Sequence, residues 1–181
     1  MIYLDYNAST PVDPLVREAM WPFLGELHGN PSSSHALGKR VREAIEDARA
    51  QVADLLGATS GEVVFTSSGT ESNNHVIKGV ADALRERGRH IVTSAIEHPA
   101  VGNPCRYLER RGFEVTYVGV DSHGLVDPQT VDDAIRPDTI LVTIMQANNE
   151  VGTIQPIARI AELAHKRGIL VHTDAAQACG K

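Results

Sequence analysis

Cysteine is nearly absent from this chain: two in 181 residues, Cys105 and Cys179, far apart and without the paired spacing of a metal knuckle. A disulfide framework is thereby excluded. Basic residues are outnumbered, 17 Lys and Arg against 23 Asp and Glu, and the resulting charge of -6 argues against nucleic acid or an anionic membrane as a partner. No apolar run approaches membrane-spanning length, and the opening "MIYLDYNAST" lacks a basic region followed by an apolar block. Repeats, low-complexity tracts and obvious domain linkers are also missing. The expectation is a soluble cytoplasmic protein.

What is present suits a globular domain with a real core: 42% of residues are hydrophobic and 22% charged. Five short segments rich in Val, Ile and Thr read as strands: "EVVFTS" (62–67), "HIVTS" (90–94), "FEVTYVG" (113–119), "TILVTIM" (139–145) and "ILVHT" (169–173). Helical spacing is clearest over 35–56, where Leu37, Val41, Ile45, Ala48, Val52 and Leu55 recur at three- and four-residue steps. Further helices fit 72–87, 104–111, 128–135 and 157–167. Strands that are apolar almost throughout belong to parallel sheets covered on both faces. The pattern predicts an α/β fold with a mostly parallel sheet and flanking helices. "GNPSSSH" (29–35) is the strongly loop-like stretch before the first expected strand.

Polar residues then fall where a core does not need them. In open α/β sheets ligands bind beyond the carboxyl ends of the strands. Four expected strands end there in polar clusters, "TSSGTESNN", "SAIEHPA", "MQANNEVG" and "HTDAAQ", whereas "VGVDSHG" reads as a plain turn. These four ends are expected to line one cleft. In "SSGTESNN" a helix start with Ser68, Gly69 and Thr70 offers free N–H groups to an anion such as phosphate, or is simply capped by Ser68 or Thr70. His98 precedes Pro99, which opens a helix; its ring can stack on a flat ligand or move protons, or satisfy the loop locally. Asn148 and Asn149 offer amides to a ligand or to a turn. Asp174 ends an apolar strand, so its carboxylate needs a partner: a helix start, or a cationic ring nitrogen that it keeps protonated. A metal held by His172, Asp174 and His98 has no third ligand at recognisable spacing.

Together these clusters resemble the class V aminotransferase group of fold-type I pyridoxal-phosphate enzymes, and more narrowly cysteine desulfurases of the NifS/IscS type. The resemblance is carried, in family order, by "IYLDYNASTPVDP" (2–14), "GNPSSSH", "VVFTSSGTESNN" (63–74), "EHPAV" (97–101), "NNEVGTIQPI" (148–157) and "HTDAAQACGK" (172–181). It implies that Gly69 and Thr70 hold the phosphate of pyridoxal 5'-phosphate. His98 would stack on the ring and take part in proton transfer. Asp174 would pair with the pyridinium nitrogen, and Asn148 and Gln177 would contact the 3-oxygen or the substrate side. Ala8 and Ser9 would lie near the substrate carboxylate.

The resemblance also implies that residues 1–181 are the N-terminal part of the large cofactor-binding domain, with 1–30 reaching the small domain and active site. The family's Schiff-base lysine, persulfide-forming cysteine and substrate-binding arginine would follow residue 181. Lys39, Lys78, Lys166 and Lys181 match the lysine's motif no better than Cys105 and Cys179 match the thiol's. The expected function is conversion of L-cysteine to L-alanine with sulfur carried as persulfide, for iron–sulfur cluster or thio-cofactor synthesis. The expected partners are a second copy or a complementing C-terminal chain, and scaffold or sulfur-acceptor proteins. Two alternatives stand beside it: a non-catalytic assembly module of the same fold, and another class V enzyme such as a selenocysteine lyase.

Overall fold

The computed structural model describes residues 2–180; the expectation concerning Lys181 lies outside them. The chain forms two compact units, 1–65 and 66–181. In the first, helix α1 (Pro14–Met20) follows an Asp13 cap and leads through a 3-10 turn (Trp21–Leu24) and a loop to α2 (Ala36–Leu56). His35 caps α2 by accepting the Gly38 N–H at Nδ1, and Gly57 ends it at φ +65°, where a side chain would be strained. Neither α1 nor the 3-10 turn is marked by an apolar period long enough to predict it.

The second unit contains α3 (Gly69–Ala83), β1 (His90–Ser94), α4 (Pro99–Glu109), β2 (Glu114–Val118), α5 (Pro128–Ala134), β3 (Thr139–Thr143), α6 (Ile157–Lys166) and β4 (Leu170–His172). The four strands form one sheet in the order β2-β1-β3-β4, parallel throughout. The expected α/β fold is present. The central strands β1 and β3 are buried along their whole length, their polar His90, Thr93, Ser94, Thr139 and Thr143 included. One face, with Ile91 and Leu141, packs on Ile77 and Ala81 of α3 and on Val101, Cys105 and Leu108 of α4. The other, with Val92 and Val142, packs on Val131 of α5 and Ile160 and Ala164 of α6. No described helix is long and apolar enough to cross a membrane.

The expected first strand is corrected. Residues 60–62 form a 3-10 turn closed by a Thr59–Glu62 capping box, and 63–67 join no described strand. Val63 has extended backbone, yet Val64 and Phe65 are 67% and 50% exposed. Local β propensity gives an extended chain, but a strand also needs a neighbour for its N–H and C=O groups. Two helices also begin earlier than their apolar spacing suggests. Capping by Ser68 starts α3 at Gly69, and His98 followed by Pro99 starts α4 at Pro99 rather than near 104.

Candidate active site at the carboxyl edge of the sheet

Three chain ends emerge together beyond β1, β3 and β4. The ladder between β3 and β4 runs on past the strands: Ile144 N–H donates to His172 O at 3.2 Å and Gln146 N–H to Asp174 O at 2.9 Å. Alternate N–H groups along a strand point to opposite sides, so Met145 N–H faces β1. It meets the Glu97 carboxylate, donating to Oε1 at 2.8 Å, and Ser94 Oγ donates to the same oxygen at 2.6 Å. In the opposite sense, Asn148 Nδ2 donates to Ile96 O at 3.1 Å. The loops carrying His98 and Asn148 are thus fastened twice.

Asp174 lies half-buried beyond β4. Its Oδ2 accepts from Asn73 Nδ2 at 2.7 Å, which ties the loop to α3, and its Oδ1 accepts from Ala176 N at 3.1 Å. Both donors are neutral, and among the described residues Asp174 forms no ion pair. Gln177 stands in the turn that Asp174 begins. Two residues before Asp174, His172 Nδ1 lies 2.8 Å from Thr143 Oγ1, and burial holds this imidazole below its ordinary pKa.

At the start of α3, Ser68 Oγ accepts the Glu71 N–H at 3.2 Å, so Ser68 is the helix cap. The Gly69 and Thr70 N–H groups form no hydrogen bond to the protein among the described residues, and both residues are exposed. A Cβ at Gly69 would meet nothing within 4 Å. Space above the helix start is therefore open, in the position where the summed peptide dipoles favour an anion.

His98 is exposed and caps α4, its Nδ1 accepting the Ala100 N–H at 3.1 Å. In the neutral ring the proton then sits on Nε2, which leaves a donor on the side away from the helix. Asn148 is buried, and its amide is used internally: Oδ1 accepts from Glu150 N and Val151 N, and Nδ2 faces Ile96 O and Met145 Sδ. The structure thus forms two hydrogen-bonded groups, Asn73 with Asp174 and Glu97 with Met145 and Asn148, linked by the backbone bond from Gln146 N–H to Asp174 O, with His98 beside Glu97. Ala8 and Ser9 belong to the first unit, exposed in a turn where Ser9 Oγ lies 2.9 Å from Tyr3 Oη.

The turn after β2 is fastened to the segment that follows Asn148, where Thr153 Oγ1 donates to His123 O. Asp121 accepts the N–H groups of His123 and Leu125, and Gln155 joins this turn through Gly124 O and Val126 N–H. A separate depression of about 270 Å³ lies between α3 and α4, lined by Lys78, Arg85, Arg89 and Arg111 around Tyr107. It contains none of the site residues.

Sequence reasoning missed Asn73 and Glu97. The available signal was that each polar cluster contains one side chain more than a turn requires; the partners lie 101 and 48 positions away and are not legible locally.

Residues 2–181 match the aminotransferase class-V family model. The chain is 55% identical over 179 residues to the cysteine desulfurase IscS of Dictyoglomus turgidum, covering 99% of this chain and 45% of that protein. It is 54% identical to the IscS of Methanosarcina thermophila, covering 99% of this chain and 44% of that protein. Among solved structures, a NifS-like protein superposes with a TM-score of 0.96 at 45% identity, over 99% of this chain and 50% of that one. SspA in complex with cysteine superposes at 0.95 and 47% identity, over 98% of this chain and 51% of that one. The chain therefore spans about half the length of the relatives it matches, and it belongs to the class-V aminotransferase family.

Proposed function

We propose that this chain forms the cofactor-binding part of a pyridoxal-phosphate-dependent cysteine desulfurase, which converts L-cysteine to L-alanine and carries the sulfur as a protein persulfide. The observation that carries this reading is the seat of Asp174. A half-buried carboxylate held by two neutral donors keeps its charge uncompensated, and a cationic ring nitrogen is the partner that such a group stabilises. The open N–H groups at the start of α3 suit the phosphate, so the residues present fit the cofactor at both ends. When bound, pyridoxal phosphate supplies an electron sink for carbanion chemistry.

The chain's own residues then divide the work. Gly69 and Thr70 hold the phosphate through backbone N–H groups. Asp174 keeps the ring nitrogen protonated, with Asn73 fixing its orientation. His98 lies against the ring and holds a proton at Nε2 for transfer at the substrate. Asn148 and Gln177 contact the 3-oxygen or the substrate side. Ala8 and Ser9 approach the substrate carboxylate. The residues form part of a large cofactor-binding domain, and the intact enzyme is a cytoplasmic dimer that serves scaffold or acceptor proteins in iron–sulfur or thio-cofactor synthesis.

The amine and thiol of the reaction come from a complementing segment. Among the described lysines, Lys78 lies over Tyr107, Lys166 pairs with Glu162, and Lys39 is exposed on α2. Burial pushes the Cys105 thiol up to about 12, which removes the thiolate at neutral pH. Cys179 is exposed and follows the Asp174 turn.

Titrating pyridoxal phosphate into the 181-residue chain tests this reading. Weak, borohydride-insensitive binding is expected, lost at least tenfold in Asp174→Ala, with no sulfide released from cysteine. With a thiol reductant present to supply the two electrons that free persulfide sulfur as sulfide, adding the C-terminal half of a relative restores sulfide release, and Asp174→Ala abolishes that rescue. Borohydride fixation to one lysine of this chain would overturn the assignment of the amine. Release from selenocysteine but not from cysteine would overturn the substrate.

A further inference from the structure

The Glu97 carboxylate reaches inward between the ends of β1 and β3. The β1–β3 register ends at Thr93 and Thr143, while β1 stays paired with β2 one step further, Ala95 N–H donating to Val118 O. Met145 N–H, directed toward β1 by strand alternation, loses its backbone acceptor there. Glu97 Oε1 takes that place at 2.8 Å, and Ser94 Oγ holds the same oxygen at 2.6 Å. The side chain acts as a substitute rung between two strands, in the residue next to His98. From the facing loop Asn148 Nδ2 grips Ile96 O, so the segment 96–98 is held on both sides.

Resting on the function proposed above, we infer that Glu97 is a positioning residue: its carboxyl fastens the loop bearing His98 to the end of β3 and so sets the spacing between the His98 ring and the Asn148 amide. A plain structural filler would need no directed acceptor at this point. The geometry requires only Oε1, since Oε2 is buried without a protein partner among the described residues. Glutamine therefore reproduces the clamp, keeping an acceptor for both Met145 N–H and Ser94 O–H. Alanine removes it. Aspartate, one methylene shorter, keeps the carboxylate but fails to reach Met145 N–H. Burial raises the Glu97 carboxyl to about 7, consistent with a group chosen for its neutral acceptor oxygen rather than for its charge.

The test uses the full chain without cofactor first. Amide hydrogen exchange at Met145 and the ring nitrogen spectrum of His98 are measured in the parent, Glu97→Gln, Glu97→Ala and Glu97→Asp. In the parent and Glu97→Gln, Met145 is protected within about twofold and His98 keeps its Nε2–H form. In Glu97→Ala and Glu97→Asp, protection at Met145 falls about tenfold and the His98 ring populates both tautomers, as expected when a hydrogen bond worth about 1.4 kcal/mol is lost. If Glu97→Ala does not fold, Glu97→Asp carries the comparison. Pyridoxal phosphate is then titrated, with affinity expected to fall about tenfold in the same two variants and to be retained in Glu97→Gln. Unchanged Met145 protection and an unchanged His98 spectrum in Glu97→Asp would overturn the inference. Absence of cofactor binding by the parent would overturn the functional reading instead, leaving the exchange and ring measurements to decide the clamp.

Discussion

Glu97 carries an ionisable group into a largely buried position, and burial, with the Asp174 charge as a lesser cause, lifts its carboxyl from 4.5 to about 7. The folded protein then holds a proton that the unfolded chain has released. Its stabilisation is complete below pH 4.5 and is lost as pH rises through 7, a change on the order of 3 kcal/mol. His90 and His172 act in the opposite sense. Burial lowers both, so the native state favours their neutral forms, and stability falls as pH drops below 6.5. The Glu97 and histidine effects oppose one another between pH 4.5 and 6.5. Glu97→Gln separates them: urea unfolding at a series of pH values should show the variant gaining about 3 kcal/mol on the parent between pH 4.5 and 7.5. A difference that stays flat with pH would place Glu97 in a solvated setting. At His172, Thr143→Val removes the partner of a buried Nδ1 and should cost about 1–3 kcal/mol in the same assay.

Between elements, α3 is the hinge of the arrangement. Its N-terminus faces open space above Gly69, its middle sends Asn73 to Asp174, and its C-terminal turn leads to Gly88 at the entry to β1. At Gly88 a Cβ would lie 2.1 Å from Asp138 O, the same carbonyl that accepts the His90 N–H as β1 begins. Gly88→Ala must move backbone against backbone, and a loss of about 3 kcal/mol or more of unfolding free energy is expected. By contrast Gly69→Ala meets open space and improves helix propensity, so its stability should stay within about 1 kcal/mol of the parent or rise. If Gly69→Ala nevertheless weakens pyridoxal-phosphate binding in a direct titration, the helix start is a phosphate cradle. Unchanged binding is equally compatible with the cradle, since alanine keeps the backbone N–H and its methyl meets open space.

For the whole molecule, the sheet ends at β2 on one side and β4 on the other, and β4 presents Leu170, 47% exposed. The first unit separately exposes Ile2, Leu4, Leu15, Trp21 and Leu24. Exposed apolar side chains of this number in one unit, and an open strand edge in the other, each favour association. Sedimentation across a wide concentration range should show a species larger than the monomer, or one that converts to a single complex when a complementing chain is added. A monodisperse monomer at all concentrations would count against that expectation.

The sequence by itself determined the α/β alternation, because β1 and β3 are short segments centred on Ile, Leu and Val and flanked by Thr or His, and α2 and α6 repeat apolar residues at helical steps. It also marked the carboxyl edge: His98, Asn148 and Asp174 were legible as polar residues set just past expected strands, although each also accepts a local backbone N–H at a helix start or turn. Only the tertiary structure decided which apolar segments pair. "EVVFTS" has the composition of a strand, but composition supplies no neighbour for its backbone, and 63–67 stay outside the described sheet. It likewise decided what holds the site together. The bonds from Asn73 to Asp174 and from Met145 to Glu97 cross 101 and 48 positions. Local propensity acts over a few residues, whereas an acceptor for a stranded N–H is found wherever the fold brings one.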